Sequence, residues 1–439
     1  MNKIYVKDLK EHFNEEVEFQ GFVENIRDLQ YVQFVVLRDS TGKVQLTIEK
    51  SEEANASMIE LVKTLTLEST LKVTAKVVEN PKVKLNGMEL IPSKIEVTSK
   101  SAEELPFNYH DLTNVNLDTR LDYRLIDLRN EKNMLTIQIQ SALVRAMREY
   151  LYQNEFTEIH TPKLIGAASE SGSEVFEVKY FDRKAYLAQS PQFYKQMAMA
   201  SGFSKVFEVA PCFRAENSNT SKHTTEFTSF DLEMSYIDSF HDVMDIEAEM
   251  LTYALSKVKE EFGEKLASVF GEELNIPTLP FPKMALKDVY QELEETYGYK
   301  VAEEEKVDLT TEAERLCKQL AKDKFNHEFI FVTDFPAEKR AFYHMRDENG
   351  VLQGYDLIWR GIEITTGAQR AHRYEELVKN AAEKGLGEDV KFYLEFFKYG
   401  CPPHGGFAIG VERLTMLLLN IPTIKEAMFL FRGPTRLNP

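Results

Sequence analysis

The first hundred residues consist of short segments rich in β-branched and aromatic residues, and this pattern restricts the fold of that region more than any other feature of the chain. Turn signals such as Ser40-Thr41-Gly42 and Asn86-Gly87 separate the segments, and a helical segment from Glu52 to Leu65 interrupts them. Several short strands with one helix predict a small barrel of the oligonucleotide-binding (OB) type. The same alternation is also compatible with a β-sandwich. The predicted strands are 17–26, 31–39, 43–49, 70–79 and 88–97.

A strong helical pattern follows the predicted barrel. Asn130 stands at the N-cap position of a helix predicted over about 131–153. Its apolar stripe is predicted to be Met134, Ile137, Leu143, Met147 and Leu151. From Phe156 onwards, strand and helix patterns mix without βαβ regularity, which favours a large antiparallel sheet flanked by helices. We therefore expect an α+β protein with a barrel domain at 1–100, a hinge at 101–130, and a second domain at 131–439 with a helical insertion at about 262–330.

Composition and charge limit the location and the partners of the chain. No run approaches the roughly 18 apolar residues of a membrane helix, and the N-terminal MNKIYVKDLKEHF has no apolar signal core, so we expect a cytoplasmic protein without membrane contact. Three widely spaced cysteines predict neither disulfides nor a zinc site. The net charge of −18 argues at first against a nucleic-acid partner. However, residues 1–100 carry 14 basic and 16 acidic residues, so a nearly neutral barrel can still present a basic face to phosphate.

Three arginines are candidates for binding a nucleotide. The chain contains neither a GxxxxGK[ST] phosphate loop nor a GxGxxG turn after a strand, so any nucleotide site must be built from side chains. Arginine suits that task because it is permanently charged and can fork onto phosphate oxygens. Arg214, Arg370 and Arg413 each follow an apolar segment and stand among small residues that let a ligand approach the backbone. Taken singly, each is more simply explained as a surface or structural arginine, but two of the three neighbourhoods are glycine-rich, which favours a binding role.

Two acids in the segment GYDLIWRGIEI are candidates for binding a metal ion. Asp356 and Glu363 are separated by an odd number of positions, so one regular strand would place them on opposite faces. A bulge or a turn at Arg360-Gly361 is required to bring them together. Two converging carboxylates beside a polyphosphate would form a magnesium site. The alternative is one turn acid and one surface acid.

Polar residues at two further places suggest binding surfaces. Lys195 follows the segment QSPQ, which suggests a pocket that opens onto a helix, although a solvated helix lysine is a simpler alternative. In the predicted barrel, Arg27, Phe34 and Gln45 lie on three successive strand segments. An aromatic ring for base stacking beside an arginine and an amide suits a reader of single-stranded RNA. A core phenylalanine with two surface polar residues fits the pattern equally well.

In this order, the segments resemble a class II aminoacyl-tRNA synthetase of the aspartyl, asparaginyl and lysyl subgroup, and within it the archaeal-type aspartyl-tRNA synthetases. The resemblance runs from about Val17 to Pro439, with motif 1 similar to FTEIHTPKL, motif 2 to VFEVAPCFRAENSNTSKHTTEFTSFDLEM and motif 3 to GGFAIGVERLTMLLL. It implies a homodimer with Pro162 at the interface. It also implies that the chain joins L-aspartate to tRNA through an aspartyl-adenylate, using ATP and Mg²⁺.

The resemblance implies roles for individual side chains around ATP. Arg214 and Arg413 would be the catalytic residues, at the α-phosphate and the γ-phosphate respectively. Phe227 and Arg413 would enclose the adenine ring. The remaining assignments are Glu216 at the adenine amino group, His223 at the outer phosphates, and Asp356 and Glu363 at the magnesium ion, with Glu363 also beside ATP.

The resemblance also implies an aspartate pocket and an anticodon surface. Lys195 and Arg370 would face the side-chain carboxylate of aspartate, because asparagine would leave two desolvated cations without a counter-charge. Arg27, Phe34 and Gln45 would read the central anticodon base. The other implied aspartate-binding residues are Glu170, Ser190, Gln192, Asp231 and Tyr343.

Departures from the family pattern leave the range of tRNAs open. Glu24 stands where forms selective for tRNA(Asp) often have tryptophan and relaxed forms have histidine, whereas Lys84 resembles the selective type. The chain would therefore charge either tRNA(Asp) alone or tRNA(Asp) and tRNA(Asn). Asparaginyl specificity and a non-catalytic tRNA-binding relative are two further hypotheses.

Overall fold

The computed structural model describes residues 4–166, 174–218, 220–337 and 340–439. They form two compact units, Met1–Asn108 and Tyr109–Pro439. The predicted hinge at 101–130 is therefore not a single connector, because its larger part belongs to the second unit. Arg124 shows why: its buried guanidinium donates hydrogen bonds to the carbonyl oxygens of Glu426 and Met428, near the C-terminus. In the described part of the chain, no helix combines the length and the apolar character needed to cross a membrane.

The smaller unit is a closed barrel with the strand order β1-β2-β3-β5-β4. Burial alternates along the strands, so that Val17, Phe19 and Val23 of β1 point into the barrel core. Closure confirms the predicted OB-type barrel and rules out a β-sandwich. The strands are β1 Glu16–Asp28, β2 Val32–Arg38, β3 Lys43–Glu49, β4 Thr70–Glu79 and β5 Met88–Ser99; the helices are a 3-10 helix at Val6–His12, a 3-10 turn at Glu53–Asn55 and α1 at Ala56–Lys63.

The larger unit is built on an eight-stranded sheet with the order β12-β13-β14-β15-β16-β11-β10-β6 and a small sheet with the order β7-β9-β8. The strands are β6 Thr157–Glu158, β7 Leu164–Ile165, β8 Glu177–Tyr180, β9 Arg183–Leu187, β10 Lys205–Phe213, β11 Glu226–Ser235, β12 Lys283–Ala285, β13 Phe329–Thr333, β14 Gly354–Trp359, β15 Ile362–Arg370 and β16 His404–Gly410. All neighbours in the large sheet are antiparallel except β12 with β13 and β6 with β10. The predicted antiparallel sheet flanked by helices is confirmed.

The helices of this unit cover the sheet. They are α2 Leu117–Asp122, α3 Arg124–Asp127, α4 Glu131–Gln153, α5 Gln192–Ala200, α6 Phe240–Lys265 with a π-helical turn at Leu266–Phe270, α7 Leu286–Tyr297, a 3-10 turn at Glu303–Glu305, α8 Thr311–Phe325, α9 Tyr374–Glu383, α10 Lys391–Phe397, α11 Val411–Leu418 and α12 Ile424–Ala427. The main hydrophobic core combines α4, α6 and α11 with the central strands.

Helix α4 spans the predicted residues, and the Asn130 side chain caps it by accepting hydrogen bonds from two backbone N–H groups of the first turn. Its buried stripe differs from the predicted one. Met134 and Ile137 are only half-buried, and the core positions are instead Leu135, Ile139, Leu143, Met147 and Leu151. The helix carries apolar residues on a second side as well, so periodicity alone could not identify the side that faces the core.

The segment predicted as a helical insertion is part of the main sheet. Strand β12 pairs with β13 and extends the sheet at its edge. Helices α7 and α8 pack around Leu293, Cys317 and Leu320 against β13. The exposed face of α7 is mainly acidic and that of α8 mainly basic, whereas the buried faces of both helices form one hydrophobic cluster.

A tight hairpin joins β14 to β15 through Arg360 and Gly361, both of which have positive φ, 51° and 83°. The register between the strands shifts between Leu357 and Ile358. The turn and the bulge required by the spacing of the two acids are therefore both present. The backbone of α8 lies against the hairpin, because a Cβ on Gly361 would be 3.1 Å from Arg315 Cα.

Gly361→Ala is expected to lower the free energy of unfolding of the larger unit by about 2–3 kcal/mol. Alanine costs about 1–2 kcal/mol in the left-handed region, and its Cβ would also press on the α8 backbone. Urea denaturation can be followed through Trp359, the only tryptophan of the chain, which is buried at the end of β14. Gly350 has a φ of +79° and open space around an added Cβ, so Gly350→Ala isolates the backbone cost of about 1–2 kcal/mol. Gly387→Ala is the control, because this glycine has no positive φ and no atom within 4 Å of an added Cβ. It should change the free energy of unfolding by less than about 0.5 kcal/mol. Equal losses at 361 and 350 would contradict the contact with α8.

Candidate active site

One cavity of about 350 Å³ in the larger unit collects most of the predicted site residues. Strands β11, β15 and β16 form its floor, and the β10–β11 loop and the start of α11 form its walls. The predicted residues that line it are Ser190, Gln192, Arg214, Glu216, His223, Phe227, Asp231, Tyr343, Glu363, Arg370 and Arg413. Lys195 and Asp356 are not among the lining residues, and Glu170 lies outside the described residues.

Two arginines form one end of the cavity, which we call the phosphate end. Arg214 follows β10, and its backbone N–H donates to Thr225 O at 2.9 Å, which closes the β10–β11 loop. Its guanidinium lies 5.3 Å from the centre of the Phe227 ring. The Arg214 Nε is buried without a hydrogen-bond partner among the described residues. Arg413, in the first turn of α11, donates from Nη1 to Glu363 O at 3.1 Å.

The charges at the phosphate end favour an anion. Burial lowers the pKa of the Arg413 guanidinium; Glu363 opposes that effect and Arg214 adds to it. Burial also lowers the pKa of His223, and Arg413 lowers it further. The His223 Nδ1 lies 2.5 Å from Thr220 Oγ1. A bound polyanion would relieve the repulsion among these cations.

The opposite end of the cavity, which we call the amino-acid end, holds a buried network of charges. The Arg370 Nε donates to Glu233 Oε1 at 2.9 Å, and the Lys195 Nζ lies 3.0 Å from Asp231 Oδ1 and 3.6 Å from Glu233 Oε2. Asp231 and Glu233 alternate along β11 and therefore point to the same face. The Tyr343 ring lies 5.6 Å from the Arg370 guanidinium. The cations expected to be free are thus already paired within the protein.

Glu233 was missed in the sequence, although it stands two residues after Asp231 on the same strand. Burial alone would raise its pKa, but Arg370 and Lys195 outweigh that effect and hold the pKa below its usual value. The neighbouring strand approaches closely here, because a Cβ on Gly406 would overlap the Glu233 carboxylate. Gly406 O accepts a hydrogen bond from Arg370 Nη2 at 2.8 Å. The glycine-rich start of β16 thus makes room for the ion network.

The two acids proposed as metal ligands lie close together. Burial raises the pKa of Asp356 to about 7, with Glu363 as the second cause, and burial also raises the pKa of Glu363. Thr366, opposite Asp356 in the register, donates to Glu363 Oε1 at 3.1 Å. Arg340 binds Asp356 in a fork, at 3.1 and 2.6 Å. Glu363 therefore faces the cavity directly, whereas Asp356 lies behind Arg340.

Three further residues complete the phosphate end and were missed in the sequence. Arg340 lines the cavity and also pairs with Asp308 at 3.1 Å. Glu314 of α8 accepts the backbone N–H of Glu363 at 3.3 Å and pairs with Lys222 at 3.5 Å. Glu412 accepts the backbone N–H of Thr228. Only Glu412 had a local signal, its position beside Arg413; the other two come from segments without a recognisable motif.

The predicted anticodon residues share one face of the barrel. Arg27 is opposite Phe34 in the β1–β2 register, and Gln45 is opposite Val36, two residues further along β2. Arg27 is exposed, and Phe34 and Gln45 are half-buried. Phe34 therefore lies outside the barrel core, which removes the alternative of a core phenylalanine.

An open, mainly apolar groove of about 930 Å³ runs along the second side of α4. Ile137, Val144 and Tyr152 of α4 line it together with Val209 of β10. Pro162 is exposed in the segment after β6, and its neighbour Thr161 donates a backbone hydrogen bond to Glu208 Oε1 at 2.7 Å. Arg27, Phe34, Gln45 and Pro162 are therefore not cavity residues.

Two family models match the chain. The model described as tRNA synthetases class II (D, K and N) matches residues 116–432, and the model described as an OB-fold nucleic acid binding domain matches residues 17–98. An aspartate–tRNA(Asp/Asn) ligase from Methanopyrus kandleri is 43% identical over 430 residues, which cover 98% of this chain and 97% of that protein. An aspartate–tRNA(Asp) ligase from Pyrococcus furiosus is 41% identical, with 99% of each chain covered. A solved aspartyl-tRNA synthetase from Entamoeba histolytica superposes with a TM-score of 0.88 at 34% identity, covering 100% of this chain and 93% of that one.

Glu233→Gln is expected to lower the free energy of unfolding by about 3–5 kcal/mol, because it removes the counter-charge of two buried cations. In the folded wild type the pKa of the Glu233 carboxylate is lowered. Its contribution to the free energy of unfolding is therefore present above the pKa that Glu233 has in the unfolded chain, and it is lost as the pH falls through the pKa of the folded state. The loss at pH 7 is measured by urea denaturation. Glu383→Gln is the control: its carboxylate pairs with Arg346 at the surface, so the loss of stability should be far smaller. If Glu233→Gln lowered the free energy of unfolding as little as the control does, an ion network excluded from water would be contradicted.

Proposed function

Since the chain belongs to the class II tRNA synthetases for aspartate, lysine and asparagine, we propose that it ligates L-aspartate to tRNA, with ATP as the second substrate. The observation that carries this proposal is a single cavity with two differently charged ends. One end combines Arg214, Arg413 and the Phe227 ring, and the other combines Arg370 with Asp231. A nucleotide and an amino acid can therefore lie side by side between them.

The amino-acid end suits a substrate with a side-chain carboxylate. Arg370 reaches the cavity surface, and Lys195 lies beneath it with its side chain fully buried. Asp231 offers a carboxylate to the substrate ammonium. Because Glu233 already balances part of this positive charge, selection against asparagine depends on the orientation of the Arg370 guanidinium rather than on an unpaired cation. Asparaginyl specificity is the second candidate. The similarity of this chain in length and sequence to aspartate ligases favours aspartate over asparagine as its substrate.

The phosphate end suits ATP. We propose that the guanidinium of Arg214, whose buried Nε has no hydrogen-bond partner among the residues that the structure describes, holds the α-phosphate. His223 and Arg413 would bind the outer phosphates. Phe227 and Arg413 would enclose the adenine, and Glu216 would accept from its amino group. A hard cation also fits this end, because Glu363 and Thr366 present oxygen atoms to the cavity, and Asp356 would add a second carboxylate if Arg340 released it. Magnesium bound there would neutralise charge on the phosphate oxygens.

The reaction proceeds by positioning and charge neutralisation. The α-carboxylate of aspartate attacks the α-phosphorus of ATP, which forms aspartyl-adenylate and releases pyrophosphate. Arg214 stabilises the negative charge that develops on the oxygens of the α-phosphorus. The terminal 3′-hydroxyl of tRNA then takes the aspartyl group and releases AMP. Arg370 and Asp231 hold aspartate during both steps and keep its α-carboxylate in line for the attack on the α-phosphorus.

The barrel is proposed to bind the tRNA anticodon. Phe34 would stack on a base, and Arg27 and Gln45 on the same face would bind its polar edge. We further propose that a second copy of the chain covers the apolar groove along α4. A homodimer would bury the accessible parts of Ile137 and Val144, which line this groove.

Arg214→Ala should lower aspartate-dependent ATP–pyrophosphate exchange at least about a hundredfold, because it removes the group that neutralises the transition state. In the wild type, exchange should require aspartate, and asparagine should not replace it. Arg346→Ala is the control, since its guanidinium pairs with Glu383 at the surface at 2.8 Å. Near-normal exchange in Arg214→Ala would refute the assignment of the phosphate end. Exchange driven by asparagine would favour the asparaginyl alternative, and no exchange with any amino acid would indicate a non-catalytic relative.

Phe34→Ala should raise the KM for tRNA by about fivefold to a hundredfold, the range expected for one lost base stack, and leave ATP–pyrophosphate exchange unchanged. Aminoacylation is measured with labelled aspartate on purified tRNA(Asp) and tRNA(Asn), which also determines whether one or both are charged. Ile91→Ala removes an exposed apolar side chain from β5 and serves as the control. An unchanged KM for tRNA in Phe34→Ala would refute the proposed anticodon surface.

A further inference from the structure

A chain of hydrogen bonds behind the amino-acid end links Gln192 to a buried histidine. His404, at the start of β16, is completely buried. Its Nδ1 lies 2.8 Å from Pro402 O, and its Nε2 lies 3.0 Å from Gln196 Nε2. Gln196 and Gln192 lie one turn apart on α5, and their side-chain amides are 2.9 Å apart. None of the roles proposed above uses His404 or Gln196.

The hydrogen position on His404 follows from its partners. Pro402 O can only accept, so the His404 Nδ1 must carry the hydrogen; Cys401 Sγ, at 3.6 Å from the same nitrogen, is the weaker contact. Burial lowers the pKa of His404 to about 4, so the ring is neutral and has one N–H group. Its Nε2 is therefore an acceptor.

The acceptor nitrogen determines the orientation of both amides. Gln196 must present its NH₂ group to His404 Nε2, which turns Gln196 Oε1 the other way. That oxygen accepts from Gln192 Nε2 at 2.9 Å and from the Tyr393 hydroxyl at 3.0 Å. The NH₂ group of Gln192 is thereby used, and its Oε1 is left on the side of Arg370, whose Nη2 lies 3.5 Å away.

We propose that His404, Gln196 and Tyr393 are positioning residues that hold the Gln192 amide with its oxygen toward the amino-acid end of the cavity. The proposal rests on the aspartate-ligating function. In this orientation, Gln192 adds an acceptor beside Asp231 for the substrate ammonium. A flipped amide would present an NH₂ group to Arg370 and to the ammonium, and both contacts would be unfavourable.

His404→Leu tests the relay through the KM for aspartate in ATP–pyrophosphate exchange. The KM for aspartate should rise about tenfold, as for the loss of one well-placed hydrogen bond, while the KM for ATP should change less than about twofold because the phosphate end is untouched. His404→Gln places an acceptor oxygen near the former Nε2. It should restore the KM for aspartate to within about threefold of the wild type.

A structural role of His404 predicts a different result. His404 also stacks on Phe397, with ring centres 6.1 Å apart, so its loss could weaken packing in general. The matched control is His327→Leu, which removes another buried histidine, hydrogen-bonded to Thr278 O at 3.2 Å. His327 does not line the cavity, so its variant should leave the KM for aspartate unchanged.

Gln196→Met removes the acceptor for Gln192 directly and decides the question if His404→Leu does not fold. The relay is overturned if the folded variants keep the wild-type KM for aspartate, if His327→Leu raises it equally, or if His404→Gln shows no rescue. Failure of the wild type to exchange with aspartate would instead refute the proposed function. The two failures are therefore distinguishable.

Discussion

The buried carboxylate of Glu233 is the charge on which the amino-acid end depends. Lys195 and Arg370 are almost completely removed from water, and burial costs several kcal/mol for each ion unless it is paired. Glu233 contacts both cations, and Asp231 contacts the lysine. The antiparallel sheet makes this possible, since alternate residues of β11 place both acids on one face.

This pairing changes the physical basis of amino-acid selection. Two unpaired cations would bind any small anion. A balanced set of two cations and two acids instead selects a ligand whose charged groups match the orientation of its own groups. Arg370 is held from one side by Glu233 and from another by Gly406 O, so its guanidinium cannot turn freely toward an arbitrary ligand. A site of this kind gains specificity from preorganisation, because the reorganisation cost was met during folding.

Elements with strong local signals could be predicted from the sequence. Strands β3 and β4 and helix α4 have the predicted boundaries, because turn residues and the Asn130 cap mark their ends. The core side of α4 could not be predicted, because both of its sides carry apolar residues and only the partner α6 distinguishes them. The predicted hinge at 101–130 fails over 109–130 for a related reason: the turn-rich sequence gives no sign of the contacts of Arg124, whose partners lie about three hundred positions away.

The candidate site follows the same division between local and distant information. Arg214, Arg370 and Arg413 stand in distinctive segments and could be predicted. Arg340, which lines the cavity, and Glu314, which contacts two of its lining residues, could not, because both stand in segments without a motif. Glu363 depends on both kinds of information. The Arg360-Gly361 turn brings the strand of Glu363 back beside Asp356, and the bulge changes the side to which Glu363 points. Helix α8 also holds Glu363 at the cavity, because it packs against Gly361 and because Glu314 accepts a hydrogen bond from the Glu363 N–H. Chemistry at the phosphate end therefore depends on a helix outside the sequence motifs, and a change in α8 would alter that end while leaving Arg214 and Arg413 intact.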